Sequence, residues 1–362
     1  MNPLSPIEPL AVDRIGCRHR TLLFALWAVA QLLLLLLQPG PALAAEPCPA
    51  SMALIPGGSY RIGAAAQLPE EQPGRNLRIS PFCLDRTEVS NDRFAAFVAA
   101  SGYITVAERP LSAEQFPALE ASERAPGSLV FQPVGGSGPI EELSWWHWVQ
   151  GADWRHPEGP GSDLAGRGQQ PVVQVAYEDA EAFARWAGQA LPSEAQWEFA
   201  ARGGLNDRIF AWGNSWNPHR ANTWQGPFPS SNTAEDGYLG SAPVGSFPAN
   251  GYGLFDMTGN VWEWTQDWYA VGHGPLADGD DPIVSSAAAT GDPRDPGVAK
   301  HVIKGGSFLC SPNYCSRYRP AAREAQSPDT GSSHIGFRLA APIATPGATP
   351  GAAFTTAPPL RG

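Results

Sequence analysis

Leu191-Pro-Ser-Glu-Ala-Gln-Trp-Glu-Phe-Ala-Ala-Arg-Gly-Gly204 reads as a helix with both ends written into it. Ser193 followed three residues later by Gln196 is a capping box, because each side chain can satisfy a backbone N–H that the first turn leaves unpaired. The helix runs through Trp197 and Phe199 to Arg202, and Gly203-Gly204 stops it. Two more helices are predicted upstream. Ser90 is placed to cap Asn91 to Ser101, with Phe94, Phe97 and Val98 on one face. Glu178 to Ala187 carries the stripe Ala180, Phe183, Ala184 and Ala187, and Gly188 suits the position just past its end. Met52-Ala-Leu-Ile55 before Pro56-Gly-Gly58 reads as a strand entering a turn, and Pro81-Phe-Cys-Leu-Asp85 as another strand. After Gly204 the chain is loop-rich with short strands, and Glu108 to Ser137 shows no persistent period. The 39 Gly and 37 Pro mean many turns, while 13 Trp can anchor a core poor in regular structure.

The two ends read differently. Arg14, Arg18, His19 and Arg20 precede the apolar run Thr21 to Leu37, and Ala42-Leu-Ala-Ala45 fits a small-residue cleavage site. Residues 1–44 are therefore expected to be a signal peptide, the alternative being an uncleaved N-terminal anchor. The mature protein is expected to be exported, periplasmic or secreted, and membrane-bound only if that segment stays. Residues 342–362 are Pro, Ala, Gly and Thr with few large apolar groups, so a disordered tail is expected there. The folded domain is expected over 49–341. Charged residues are 16% of the chain and the net charge is −11, which argues against a nucleic-acid partner.

The sequence holds no Gly-x-Ser-x-Gly elbow, no Gly-Lys-Ser/Thr phosphate loop and no His-Glu-x-x-His, and its seven His are scattered. Beyond the N-terminal segment four cysteines remain: Cys48, Cys83, Cys310 and Cys315. Cys48 and Cys83 form either a disulfide, as suits an exported chain, or leave Cys83 as a small buried hydrophobe. Cys310 and Cys315 lie in Lys304-Gly-Gly-Ser-Phe-Leu-Cys-Ser-Pro-Asn-Tyr-Cys-Ser-Arg-Tyr-Arg319. From spacing alone a structural disulfide is the plainer reading. Two thiolates on one turn could instead hold a soft ion such as Cu(I).

The surroundings of that loop reverse the preference. The sequence resembles the formylglycine-generating enzymes, or sulfatase-modifying factors, over almost all of Met52 to Ala341. The shared stretches include Asp85-Arg-Thr-Glu-Val-Ser-Asn91, Trp154-Arg-His-Pro-Glu-Gly-Pro160, Ala221-Asn-Thr-Trp-Gln-Gly226, Asn250-Gly-Tyr-Gly-Leu-Phe-Asp256, Gly259-Asn-Val-Trp-Glu-Trp264 and Gly336-Phe-Arg338. The Gly-Asn-x-Trp-Glu-Trp stretch marks the broad superfamily. The two cysteines of the 304–319 loop separate catalytic members from relatives without the thiols.

The resemblance implies a mixed α/β fold of low regular secondary structure, distantly C-type-lectin-like. It implies oxidation by O2 of a cysteine in a Cys-X-Pro-X-Arg segment of an unfolded sulfatase polypeptide to Cα-formylglycine. Cu(I) would lie between Cys310 and Cys315, with the substrate thiolate as third ligand. Ser307 aligns with a serine near the oxygen pocket and otherwise reads as a turn hydroxyl; Trp262 aligns with a pocket tryptophan and otherwise reads as core. Structural calcium would bind at two sites: the Asn222 side chain, Thr223 carbonyl, Asp236 and Tyr238 carbonyl, and Asp256, the Gly259 and Val261 carbonyls and Glu263. The family commonly has Asn at the position of Asp256 and before Gly-Phe-Arg, where His334 stands here. Ser311-Pro-Asn313 also departs from the best-known members, and Pro320 and Leu339 replace cysteines of the eukaryotic enzymes. Two other classes are weighed. An iron-dependent sulfoxide synthase of this fold would need a His-rich helical domain, which the sequence lacks. A non-catalytic lectin-like ligand- or protein-binding module would not need the thiols.

Overall fold

The structure is a computed structural model that describes residues 47–344 apart from 73, 115, 136–139 and 275–279. The expected signal segment lies outside the described residues, as does the chain past 344. The first elements are β1 (Met52–Ile55), β2 (Gly58–Ile62), β3 (Arg75–Ile79), β4 (Phe82–Asp85) and α1 (Asn91–Ser101). β5 (Gly127–Phe131), β6 (Trp146–Gln150), α2 (Tyr177–Trp186) and α3 (Glu194–Arg202) follow, then β7 (Trp262–Trp268), β8 (His301–Lys304), β9 (Glu324–Gln326), β10 (Ile335–Gly336) and β11 (Ala340–Pro342). One sheet has the order β1-β4-β11 and another β10-β7-β8-β9, and β2-β3 and β5-β6 are separate pairs.

The helices form where their caps predict. Ser90 Oγ accepts from Arg93 N, and Ser193 Oγ accepts from Gln196 N at 3.1 Å while Gln196 reaches back to Ser193 N. α1 buries Phe94 and Phe97 against Phe183 of α2, with ring centroids 5.9 and 5.5 Å apart, and Phe337 closes the cluster from behind. Each such ring contributes about 1.5–3 kcal/mol by leaving water. A second cluster packs α3, through Trp197 and Phe199, on β1 to β4.

The structure departs from the sequence reading in two places and decides one alternative that it left open. Glu108 to Ser137 contains β5, whose partner β6 pairs Gly127 with Gln150 through Phe131 with Trp146. Cys48 and Cys83 form a disulfide. The expected tail starts too early: Pro342 pairs with Phe82 in β11, and Ala344 N donates to Pro47 O at 3.0 Å.

Charged residues also sit in the core. Arg202, Arg319, Arg323 and Arg338 are fully buried, and each faces a carboxylate: Glu198, Glu71, Glu194 and Glu263. Lys304 lies 3.2 Å from Glu198. Removing one partner of such a pair leaves an uncompensated buried charge and costs about 3–5 kcal/mol. The pairs of Lys304 and Arg319 hold the two ends of the cysteine loop.

Candidate active site

The loop leaves β8 at Lys304, which is paired with Glu263 of β7. Gly305 and Gly306 have φ of +96° and +73°, and a Cβ on Gly306 would lie 2.9 Å from Tyr318 Cα. Only glycine turns the chain here without collision. Ser307 is fully buried; its carbonyl accepts from Cys310 N at 2.9 Å and its Oγ from Leu309 N at 3.2 Å. That is the turn role, and the O–H remains able to donate. Ser311 O then accepts from both Tyr314 N and Cys315 N, at 3.1 and 2.9 Å, so the second cysteine curls back onto the first. The two sulfurs are 2.7 Å apart and both cysteines are free. The disulfide that spacing alone favoured is absent.

The two thiols differ electrostatically. Burial pushes Cys310 well up, and the adjacent Cys315 adds to it. The Cys310 S–H hydrogen bond pulls Cys315 down, helped by the Arg317 backbone N–H and guanidinium. Arg317 is held at 2.6 Å by Glu70 and 3.2 Å by Glu324. Cys315 is therefore the thiol of the pair that gives up its proton more readily. Trp262, buried at the start of β7, shares one packed cluster with Cys310, Cys315 and Tyr318. Copper(I) fits this donor set, since two adjacent sulfurs of one loop supply soft ligands.

Beside the thiols stands an aromatic wall. Tyr314 is 42% exposed and stacks on Phe228 at 4.4 Å, and Trp145 meets both rings edge-on at 5.1 Å. Phe131 of β5, Trp224 and Trp146 continue it. His334 packs on Trp146 at 4.7 Å, and burial pushes its pKa down to about 3, so the ring is neutral.

The loop is tied to the expected calcium segments. Trp224 N donates to Cys310 O at 3.0 Å and Phe308 N to Asn260 O at 2.8 Å. Asn260, fully buried, accepts from Asn222 Nδ2 and Ala242 N and donates to Glu88 at 3.0 Å. In the first expected site Asp236 accepts from Thr223 N and Tyr238 N, and Asn222 Oδ1 and Thr223 Oγ1 are buried without a partner. In the second, Glu263 accepts from Trp197 Nε1 and twice from Arg338, each at 2.7 Å, leaving one of its roughly four lone-pair sites. Val261 and Gly259 flank Asn260 in the same turn. Asp256 Oδ1 and Glu88 Oε2 are buried and unpartnered. Burial pushes Asp256 up to about 6, and burial with the Asp256 charge pushes Glu88 well up from the ordinary carboxylate range. Three carboxylates here face one guanidinium, Arg338, an imbalance that a divalent cation would correct. Among the described residues no three His, Cys, Asp or Glu side chains are grouped to hold a metal, so each site would draw on carbonyl and amide oxygens.

The sequence reading missed Glu88, Asn260, Arg317 and Arg338. All four stood in quoted stretches but looked like ordinary polar residues.

A loop-rich mixed fold centred on two adjacent free thiols defines a thiol-based site in a sulfatase-modifying-factor type of domain. Residues 41–343 match the family model of the sulfatase-modifying factor enzyme 1-like domain, and the chain belongs to that family. It is 49% identical over 294 residues to the formylglycine-generating enzyme of Mycobacterium tuberculosis, covering 79% of this chain and 96% of that protein. It is 36% identical over 297 residues to the inactive C-alpha-formylglycine-generating enzyme 2 of Bos taurus, covering 80% and 87%. Among solved structures, PvdO from Pseudomonas aeruginosa superposes with a TM-score of 0.53 at 25% identity, covering 83% of this chain and 96% of that one. The fold is the family's, with few helices and small sheets.

Proposed function

We propose that the chain oxidises the cysteine of a Cys-X-Pro-X-Arg segment in an unfolded sulfatase polypeptide to Cα-formylglycine, using O2 and one Cu(I) held by Cys310 and Cys315. Conversion of cysteine to formylglycine is the activity of its enzyme relatives. The observation that carries the reading is the pair of free sulfurs 2.7 Å apart in one buried loop. Copper there would supply a soft binding point for the substrate thiolate and a centre at which O2 is reduced. Net, the substrate CH2–SH gives up two electrons and two protons to oxygen and, with water, yields an aldehyde and hydrogen sulfide.

The chain's own residues do the rest. Cys315, whose pKa is lowered, and Cys310 would hold the metal, and Cys310, pushed up by burial, would have to give up its proton to do so. Ser307 offers its hydroxyl beside the loop. Tyr314, exposed and backed by the buried Phe228 and Trp145, would give an extended peptide a ring against which to lie. Calcium at the two loop sites would fix the segments that hold Cys310 O and Phe308 N. Export of the mature domain belongs to the same proposal, with modification before the substrate folds.

The deciding experiment incubates the copper-loaded protein with a Cys-X-Pro-X-Arg peptide and reads the product by mass spectrometry. An aldehyde product that needs O2 is expected, and it should vanish in Cys310→Ala, in Cys315→Ala and with a Ser-X-Pro-X-Arg peptide. Peptide binding without aldehyde at any copper level would instead identify a non-catalytic binding module. Equal Cu(I) binding by wild type and both alanine variants would remove the copper assignment.

A further inference from the structure

A cleft of about 440 Å³ opens between the segment carrying Trp212, Trp216 and Arg220 and the turn at Asn250. That volume lies in the range of small-molecule sites, about 300–1,000 Å³. None of its lining residues belongs to the thiol loop or to the aromatic wall. Trp216 packs at 4.7 Å on Tyr318.

Arg220 is what makes the cleft chemically specific. The fully buried arginines of the core each face a carboxylate, and the chain carries a net charge of −11. Arg220 nevertheless makes no ion pair among the described residues, and its Nε is buried without a partner. A guanidinium without a carboxylate partner keeps donors that a bound acceptor could take. No carboxylate lines the cleft. Asp256 and Arg220 both line an adjoining recess of small volume; Asp256 Oδ2 accepts from Gly245 N at 2.6 Å, its Oδ1 has no hydrogen-bond partner, and the two side chains form no ion pair.

The walls fix the shape of what could enter. Trp212 and Trp216 stand 5.8 Å apart at 47°, and the Arg220 guanidinium lies 5.7 Å from the Trp212 ring. Trp212 Nε1 is engaged by Ser215 O, and the Asn250 amide by Ala200 and Ala201 carbonyls. Phe210 stacks on Trp212 at 5.3 Å and also packs on Trp216, so each half-buried indole offers the cleft only the part of its surface that Phe210 and Tyr318 leave uncovered, and Asn250 offers no free donor. Asn217 uses its Oδ1 on His219 N and keeps its NH2 group. A forked guanidinium reads a carboxylate or oxyanion through two parallel hydrogen bonds, and indole faces accept a flat ring or the apolar face of a sugar.

We propose that this cleft is a second binding site, for a small organic anion whose acid group is carried on a ring. The Arg220 fork takes the acid group, the uncovered surface of Trp212 and Trp216 forms one wall against which the ring packs, and Asn217 donates to a ring substituent.

The test is titration of the intact protein with benzoate, glucuronate, glucose and inorganic sulfate, followed by calorimetry and tryptophan fluorescence. Saturable binding of at least one ring acid is expected, with glucose and sulfate each at least tenfold weaker. Preference for benzoate or glucuronate identifies a flat ring or a sugar acid as the ligand. Arg220→Gln should lose at least tenfold in affinity, and Arg220→Lys most of that, since Lys keeps the charge without the fork. Oxidation of the cysteine peptide should be unchanged in both variants. No binding of either ring acid to the wild type would overturn the proposal. So would equal binding by Arg220→Gln, or sulfate binding as tightly as the ring acids.

Discussion

Gly306→Ala is the substitution that tests how the thiols are positioned. At φ +73° the new methyl would lie 2.9 Å from Tyr318 Cα, 3.0 Å from Tyr318 N and 3.1 Å from the Arg317 carbonyl carbon. All three are backbone atoms of the chain returning from Cys315, and the Arg319–Glu71 pair just beyond holds that chain in place. A left-handed conformation costs a residue with a Cβ about 1–2 kcal/mol. Forcing a methyl into a packed site adds about 1–3 kcal/mol. The expected loss is therefore about 2–5 kcal/mol. Gly188→Ala is the control, because φ there is +65° and nothing lies within 4 Å of the added methyl. It should cost only the first, conformational part. Urea unfolding of both variants gives the difference, and reaction of Cys310 with a thiol reagent reports whether the loop has opened. If Gly306→Ala costs no more than Gly188→Ala and Cys310 reacts no faster, the close approach to Tyr318 does not set the loop.

Four further outcomes are expected. Reduction-proof removal of the Cys48–Cys83 bridge, as Cys48→Ser/Cys83→Ser, should lower stability by about 3–4 kcal/mol in denaturant melts, since it frees a closure spanning 35 positions. Glu263→Ala should destabilise by about 3–5 kcal/mol even with a chelator present, because it removes the carboxylate that accepts twice from the fully buried Arg338. Asp236→Asn is thus the cleaner calcium variant: chelation should lower the wild-type melting temperature and move that of Asp236→Asn much less. Burial and then the Glu194 charge push Asp267 up to about 7, so the folded state holds that proton more tightly than the unfolded chain. Its contribution is full below about pH 4 and is lost as pH rises through 7, so stability should fall over that window, and less steeply in Asp267→Asn when melts are compared across pH.

What was legible in the sequence was local. The capping box at Ser193 and Gln196, the cap at Ser90 and the stop at Gly188 act within a few residues, and the three helices followed from them. The β5-β6 pair was not legible, because Gly127-Ser-Leu-Val-Phe131 finds its partner only across an intervening loop. The buried arginines were invisible for the same reason. Arg319, Arg323 and Arg338 meet carboxylates 248, 129 and 75 positions away, and an arginine without a visible partner reads as surface. The thiol pair shows both limits. Spacing favoured a disulfide, the surrounding residues favoured free thiols, and the free pair is what the loop forms. The asymmetry between Cys310 and Cys315 comes from burial and from Arg317, which spacing does not encode.

The strand that closes on β4 has a practical consequence. Ala344 N meets Pro47 O at 3.0 Å, and the Cys48–Cys83 bridge clamps the same edge. Entry and exit of the described chain are therefore neighbours, so a linker of a few residues could join them. A circular permutant with new ends in the exposed turn at Gly166, where the side of the chain is open, should keep both sheets and the thiol loop. The same adjacency makes that corner the natural attachment point for a surface or a carrier protein.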